Sequence, residues 1–326
     1  PDATLKLNGR SFKILKLLGE GGFSYVYLAQ DLESKRLFAL KKIRCPLGSD
    51  SVKTALKEVE AYKRFRHENI IRCLDSCVVQ DREGDGKIIY VPNLFRKKNS
   101  VQHVITSHHV NGTHYPESQI LPIFLGTCRA VKAMHQHDSR TSTKHASSSL
   151  SIDEPSPPLP GLTTASLEGG GGITPWAHRD IKPANVMISD DGVTPILMDF
   201  GSALPARIEI PDRRVALMQQ DLAAEHCSMP FRAPELFDVK TGTTLTEAVD
   251  IWSLGCLLFS MAYSTSPFET SQESSHGGSI AMAVLNGKYS FPTNEGNYSE
   301  GLKEIVRRCL KITLSIFVLF KKVVLY

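Results

Sequence analysis

The sequence predicts an α+β protein of two lobes: a small strand-rich lobe with one helix, then a larger helical lobe. Three observations carry that expectation. Short β-type apolar runs fill roughly the first 90 residues. From Glu117 onward, apolar residues recur at three- and four-residue steps, the mark of helices with one buried face. A chain of 326 residues is long enough for two domains of ~100–200 residues or one large bilobal one. An apolar fraction of 41% and a charged fraction of 22% are ordinary globular values and exclude collagen, a coiled coil and wholesale disorder.

In chain order, residues 1–11 are read as an N-terminal flank. Residues 12–18 (FKILKLL) and 25–29 (YVYLA) read as two strands around a glycine-rich turn, and 37–43 (LFALKKI) as a third strand. Val52, Ala55, Leu56, Val59 and Tyr62 mark one face of a helix. Residues 71–79 and 87–91 read as two more strands. Beyond Glu117, the residues Leu121, Phe124, Leu125, Cys128, Val131 and Met134 form a buried stripe. Residues 139–172 break the pattern: 21 of these 34 are Ser, Thr, Pro or Gly, without periodicity. Such a segment cannot offset its ordering entropy and reads as a disordered insertion, dispensable for chemistry.

A net charge of +4 is too mild to argue for nucleic acid but tolerates an anionic ligand or membrane surface. The seven cysteines are scattered, odd in number and without zinc-ligand spacing, so a reduced, cytoplasmic compartment is expected. No stretch reaches the ~18 apolar residues of a membrane span, and no signal peptide is visible. The chain begins with Pro1, so the true N-terminus is expected to be missing, and any lipid signal with it.

The chemistry-bearing motifs are ordered. Gly19-Glu20-Gly21-Gly22-Phe23-Ser24-Tyr25-Val26 is a glycine-rich hairpin whose backbone N–H groups can close over phosphates. It lies between two strands, unlike a dinucleotide loop, which opens a helix. Ala39-Leu40-Lys41 lies inside the third strand. An inward lysine needs a partner, for which Glu58 on the following helix is placed; the alternative is a surface lysine. Then come His178-Arg179-Asp180-Ile181-Lys182-Pro183-Ala184-Asn185, Asp199-Phe200-Gly201, Ala233-Pro234-Glu235 and Asp250-Ile251-Trp252-Ser253-Leu254-Gly255. One such tripeptide is chance; the ordered set, with strand-like runs at 186–188 and 195–198, is not.

On these motifs the chain resembles the eukaryotic protein kinases over residues 12–311. The resemblance implies the bilobal kinase fold, with an N-lobe at 12–92 and a C-lobe at 93–311, interrupted by 139–172. It implies transfer of the ATP γ-phosphoryl group to protein Ser or Thr hydroxyls, with autophosphorylation. Lys41 would hold the α/β-phosphates and pair with Glu58, Asp180 would accept the substrate proton, and Lys182 would neutralise phosphoryl charge. Asn185 and Asp199 would hold Mg2+. ATP would be contacted by Gly19, Glu20, Gly21, Gly22, Phe23, Ser24, Val26, Ala39, Lys41, Val91, Asn185 and Asp199. Lys182 and Ser228 resemble the serine/threonine pattern, although Ser228 can also be read as an ordinary loop serine. The competing class is a non-catalytic pseudokinase or scaffold; the presence of Lys41, Glu58, Asp180, Asn185 and Asp199 disfavours it, and the altered C-terminal end is the one feature that supports it.

Finer strings are similar to the Numb-associated kinase family and its serine/threonine kinase 16 branch: Gly-Glu-Gly-Gly-Phe-Ser at 19–24, Leu-Met-Asp-Phe-Gly-Ser at 197–202, Gln220–Cys227 and Phe231–Phe237. That likeness places Val91 at the adenine pocket, residues 92–94 in the hinge, and an extra helix over 213–225 in the activation segment, 199–235. Branch members are lipid-anchored to Golgi or vacuolar membranes. The implied partners are a protein substrate and, through a lipidated N-terminus outside this chain, such a membrane; no nucleic acid is implied. At the other end, ten of the last fourteen residues are apolar. Residues 312–326 depart from the family ending and read as a truncated or replaced C-lobe end, with an alternative of packing as a new strand or helix. The family pairs the Ala-Pro-Glu glutamate with an arginine beyond residue 311, so Glu235 is expected to lack its partner. The chain as written is therefore expected to fold poorly, aggregate through 316–320 or lose activity.

Overall fold

The computed structural model describes residues 4–21, 24–45, 49–81, 86–94, 99–137, 173–269, 279–292 and 296–311. The expected insertion, 139–172, and tail, 312–326, lie outside them. The chain divides into two compact units, residues 1–98 and 99–326.

The first unit is a six-stranded antiparallel sheet with one described helix. Its strands are β1 (Thr4–Leu7), β2 (Arg10–Gly21), β3 (Ser24–Asp31), β4 (Leu37–Cys45), β5 (Cys77–Gln80) and β6 (Lys87–Leu94), in spatial order β1-β2-β3-β4-β6-β5. Alternation puts Leu7, Phe12, Ala29, Phe38, Leu40, Ile88 and Tyr90 on one face, where they form a buried cluster. Phe12 and Phe38 meet there edge to face, with centroids 5.5 Å apart. Helix α1 (Ser49–Arg64) buries Ala55, Val59 and Tyr62 from the predicted stripe and lies against β4 and β6.

Three expectations for this unit need correction. Residues 1–11, read as a flank, contain β1, which pairs with β2 and buries Leu7. The signal was present: Asn8 and Gly9 have φ of 45° and 83°, the two-residue turn that Asn-Gly favours in hairpins. The strand expected over 71–79 forms only from Cys77. Upstream, Cys73 makes a single bridge to Asn93, while Asn8 Nδ2 donates to Asp75 Oδ2 (2.7 Å) and to the Ser76 carbonyl (3.0 Å), so that backbone serves the hairpin tip instead of a ladder. The expected lobe boundary at 92/93 falls inside β6, whose ladder with β4 continues through Asn93 and Leu94.

The second unit is mainly helical. Helices α2 (Val101–Val110), capped by Ser100, and α3 (Glu117–His135) precede β7 (Trp176–Ala177) and the pair β8 (Val186–Ile188) and β9 (Pro195–Leu197). Then follow β10 (Leu204–Pro205), β11 (Ile208–Ile210), α4 (Arg213–His226), the short α5 (Pro234–Phe237), β12 (Thr243–Leu245), α6 (Ala248–Tyr263), α7 (Ile280–Asn286) and α8 (Glu300–Cys309). The stripe on α3 starts at Ile120 and Ile123; Leu121 is 36% exposed because it sits one residue, about 100°, off the buried line.

Helix α6 is the axis of this unit. Every residue from Val249 to Tyr263 is buried, as expected of a helix apolar on all sides. It packs against α3 and α8, and Phe259 and Tyr263 join Phe291 and Tyr298 in an aromatic cluster. Gly255 is where α8 comes closest: a Cβ there would lie 2.6 Å from Cys309 Cβ. Gly255→Ala would gain up to ~1 kcal/mol of helix propensity but force the two backbones apart at ~1–3 kcal/mol. A net loss is expected, read as a lower urea midpoint with an unchanged slope; an equal or higher midpoint would show that α8 can yield.

Candidate active site

In the first unit, sheet register gathers the expected nucleotide-facing residues. Gly19 pairs with Val26, Val26 with Lys41 and Lys41 with Val91, a row across four strands whose side chains share one face. Ala39, two residues from Lys41, is on that face beside Leu28. Glu20 and Gly21 close β2, and Ser24 opens β3 opposite Gly21. Gly22 and Phe23 lie outside the described residues. Lys41 Nζ is 2.6 Å from Glu58 Oε1, with side chains 15% and 12% exposed, so the strand lysine has the helix partner that its position demands.

In the second unit, the residues expected to form the catalytic loop fold onto one carboxylate. Asp180 Oδ2 receives Lys182 Nζ at 2.8 Å and Asn185 Nδ2 at 3.0 Å. Asp180 Oδ1 receives the Ser228 N–H at 2.9 Å. Lys182 Nζ also donates to Ser228 Oγ at 2.6 Å, so Ser228 closes a circuit with the loop. Asn185 Nδ2 donates to the Asp180 carbonyl as well, at 2.8 Å. This commits the amide nitrogen and leaves Oδ1 as the side chain's acceptor oxygen. Asp199 is held at φ 64°, and the Met198 N–H before it donates to the Asn185 carbonyl.

What holds this loop in place is Asp250, fully buried on α6. Its Oδ2 accepts the His178 N–H (2.8 Å) and His135 Nε2–H (2.8 Å), and its Oδ1 accepts the Arg179 N–H (2.8 Å). Burial alone would raise its pKa; the His135 hydrogen bond and charge, His178 and the Arg179 amide bring it below the usual carboxylate value. His178 Nδ1 accepts the Asp180 N–H and Nε2 donates to the Met198 carbonyl, which fixes its tautomer. Neither Asp250 nor His135 carries a role legible from the motifs alone. A signal existed for Asp250, the single charged residue in the apolar run 248–263.

The helix expected over 213–225 forms as α4, capped by Asp212 Oδ1 on the Val215 N–H. Beyond it, Glu235 is partly buried and has no ion-pair partner among the described residues. Burial pushes its carboxyl above the usual range. Arg307 and Arg308 are engaged instead with Glu300 and Glu304 on α8.

Comparison with known proteins agrees with this geometry. A family model described as the protein kinase domain matches residues 12–139 and 175–315. The chain is similar to serine/threonine-protein kinase ppk13 of Schizosaccharomyces pombe, 37% identical over 94% of this chain and 86% of that protein. It is also similar to serine/threonine-protein kinase ENV7 of Saccharomyces cerevisiae, 35% identical over 95% and 89%. Serine/threonine-protein kinase 16 of Homo sapiens is 30% identical over 95% and 87%.

Glu235 makes stability depend on pH. Its folded pKa lies above the unfolded value, so the folded state holds the proton longer; the contribution of this group is most favourable below about pH 4.5 and is lost as pH rises through the folded pKa. Glu235→Gln should therefore raise the melting temperature at pH 7, by about 2–4 °C for a gain near 1 kcal/mol, with the difference shrinking as pH falls through the unfolded value. Melting curves of both forms from pH 4 to 8 check this; a glutamine form less stable at pH 7 would mean that the carboxylate is paired.

Proposed function

This chain belongs to the protein kinase family, as a serine/threonine kinase of the serine/threonine kinase 16 branch, and from that premise we propose a Mg2+-dependent phosphoryl transfer from ATP that includes autophosphorylation. The observation that carries the reading is the circuit on Asp180. In the proposed step the oxygen of an acceptor Ser or Thr hydroxyl attacks the γ-phosphorus, the bond to the ADP oxygen breaks, and the hydroxyl proton passes to the Asp180 carboxylate. Lys182, 2.8 Å from Asp180 and 2.6 Å from Ser228 Oγ, supplies positive charge where the phosphoryl oxygens gather negative charge. In the first unit, Lys41, oriented by Glu58, takes the α/β-phosphates, and the row Gly19, Val26, Ala39 and Val91 takes the base and sugar.

The oxygens of Asn185 and Asp199 suit a hard divalent cation that keeps several waters. When bound, Mg2+ would neutralise charge on the β- and γ-phosphates. Because Asn185 Nδ2 is committed to Asp180, the same side chain that offers an oxygen to the cation also steadies the base.

Among the described residues no helix is long and apolar enough to cross a membrane. Residues 1–98 hold 20 Lys and Arg against 12 Asp and Glu. This favours a second element of the proposal, peripheral attachment to an anionic cytoplasmic face such as that of the Golgi or vacuole. Co-sedimentation with phosphatidylserine vesicles that weakens with salt supports it; equal recovery on neutral vesicles opposes it.

For the chemistry, Asp199→Ala should abolish transfer. Lys41→Met should cut turnover about 100-fold or more while changing the KM for ATP less, because its charge matters most as the phosphates reorganise. EDTA should stop the reaction and Mg2+ restore it. Mass spectrometry after incubation with Mg-ATP should find phosphate within 139–172, which carry twelve Ser or Thr, in the parent and not in Asp180→Asn. Near-parental turnover in the Asp199 or Lys41 variant would refute the assignment.

A further inference from the structure

Arg179, the residue before Asp180, is 5% exposed and left-handed at φ 67°. Its backbone is tied to Asp250, but its guanidinium faces elsewhere. Nη1 donates to Gln219 Oε1 at 3.2 Å, and among the described residues Nη2 has no hydrogen-bonded oxygen or nitrogen, only the Cys227 thiol beside it. Gln219 is fully buried on the face of α4 that also buries Val215, Ala216 and Ala223. A neutral amide therefore answers a buried guanidinium, an expensive group to leave unsatisfied.

The position of α4 gives that hydrogen bond a further consequence. The helix is fixed at its start by Asp212, and Gln220 Nε2 donates to the Phe237 carbonyl at 2.8 Å. Two residues beyond its end, the Ser228 N–H returns to Asp180 Oδ1. One helix thus grips two successive catalytic-loop residues, Arg179 through Gln219 and Asp180 through Ser228.

We propose that Gln219 is a positioning residue: its amide oxygen anchors the Arg179 guanidinium to α4 and so fixes the Asp180 carboxylate relative to Ser228. The idea rests on the role proposed above for Asp180. An apolar side chain of similar size at 219 preserves the packing of α4 but frees the guanidinium, and Asp180 then loses its setting. A carboxylate there preserves the acceptor.

The test measures steady-state transfer from Mg-ATP to casein, with melting temperatures, for the full chain and its variants. Gln219→Leu should lower kcat about 10-fold with an unchanged KM for ATP, whereas Gln219→Glu stays within about threefold of the parent. Arg179→Met and Arg179→Met combined with Gln219→Leu should be equally impaired, since both remove the same link. If the leucine form does not fold, Gln219→Met serves the same comparisons. Parental kcat in the leucine form, an equal loss in the leucine and glutamate forms, or losses that add with Arg179→Met would each overturn the inference. Asp180→Asn is the separate control: parental turnover there would refute the proposed function itself, whereas its inactivity beside an unaffected Gln219→Leu would refute only the role of Gln219.

Discussion

A single buried carboxylate organises the catalytic half of this molecule. Asp250 lies in the most apolar of the described helices, where an unpaired charge would be prohibitive. It is tolerated because three N–H donors, two of them backbone, converge on its oxygens. Those amides belong to consecutive residues, so satisfying the carboxylate also dictates the path of the chain into the catalytic loop. A left-handed arginine costs ~1–2 kcal/mol, and that strain persists because the neighbouring bonds leave the backbone no alternative. The rigidity of α6 is thereby passed to the backbone on either side of Asp180.

The first unit solves a similar problem with less machinery. A lysine on an inward strand face is placed by sheet register, and α1 brings the opposing glutamate to it. Both units bury a charged group beside obligatory partners: in the first a helix brings the anion to a strand lysine, and in the second a helix carries the anion and a loop brings two of its three donors.

Much of this was legible in the sequence for physical reasons. Lys41 could be matched to Glu58 because a buried amine requires an anion and the helix that follows carries one at a suitable place. The helix α4 was visible because 213–225 contain no Gly or Pro. The first hairpin escaped because its strand is only four residues long, too short for alternation to register, although Asn8-Gly9 announced the turn. The run 71–76 misled because alternation reports a face, not a neighbour: its backbone meets Asn8 and Pro92 instead of a continuous ladder. Gln219 could not have been found, since its meaning comes entirely from a guanidinium forty residues earlier in the chain.

The Asn8 contact also bears on how the protein behaves in a crowded solution. The two border strands of the sheet, β1 and β5, are four residues each, and the hydrogen bonds of Asn8 to Asp75 and Ser76 draw one border toward the other. Unpaired border strands invite foreign strands to add on. Here each border is brief, and the two are clasped together at one end, so the sheet offers little length on which another chain could propagate. The same side chain that shapes the fold of the first unit therefore also limits the open edge that a foreign strand could extend.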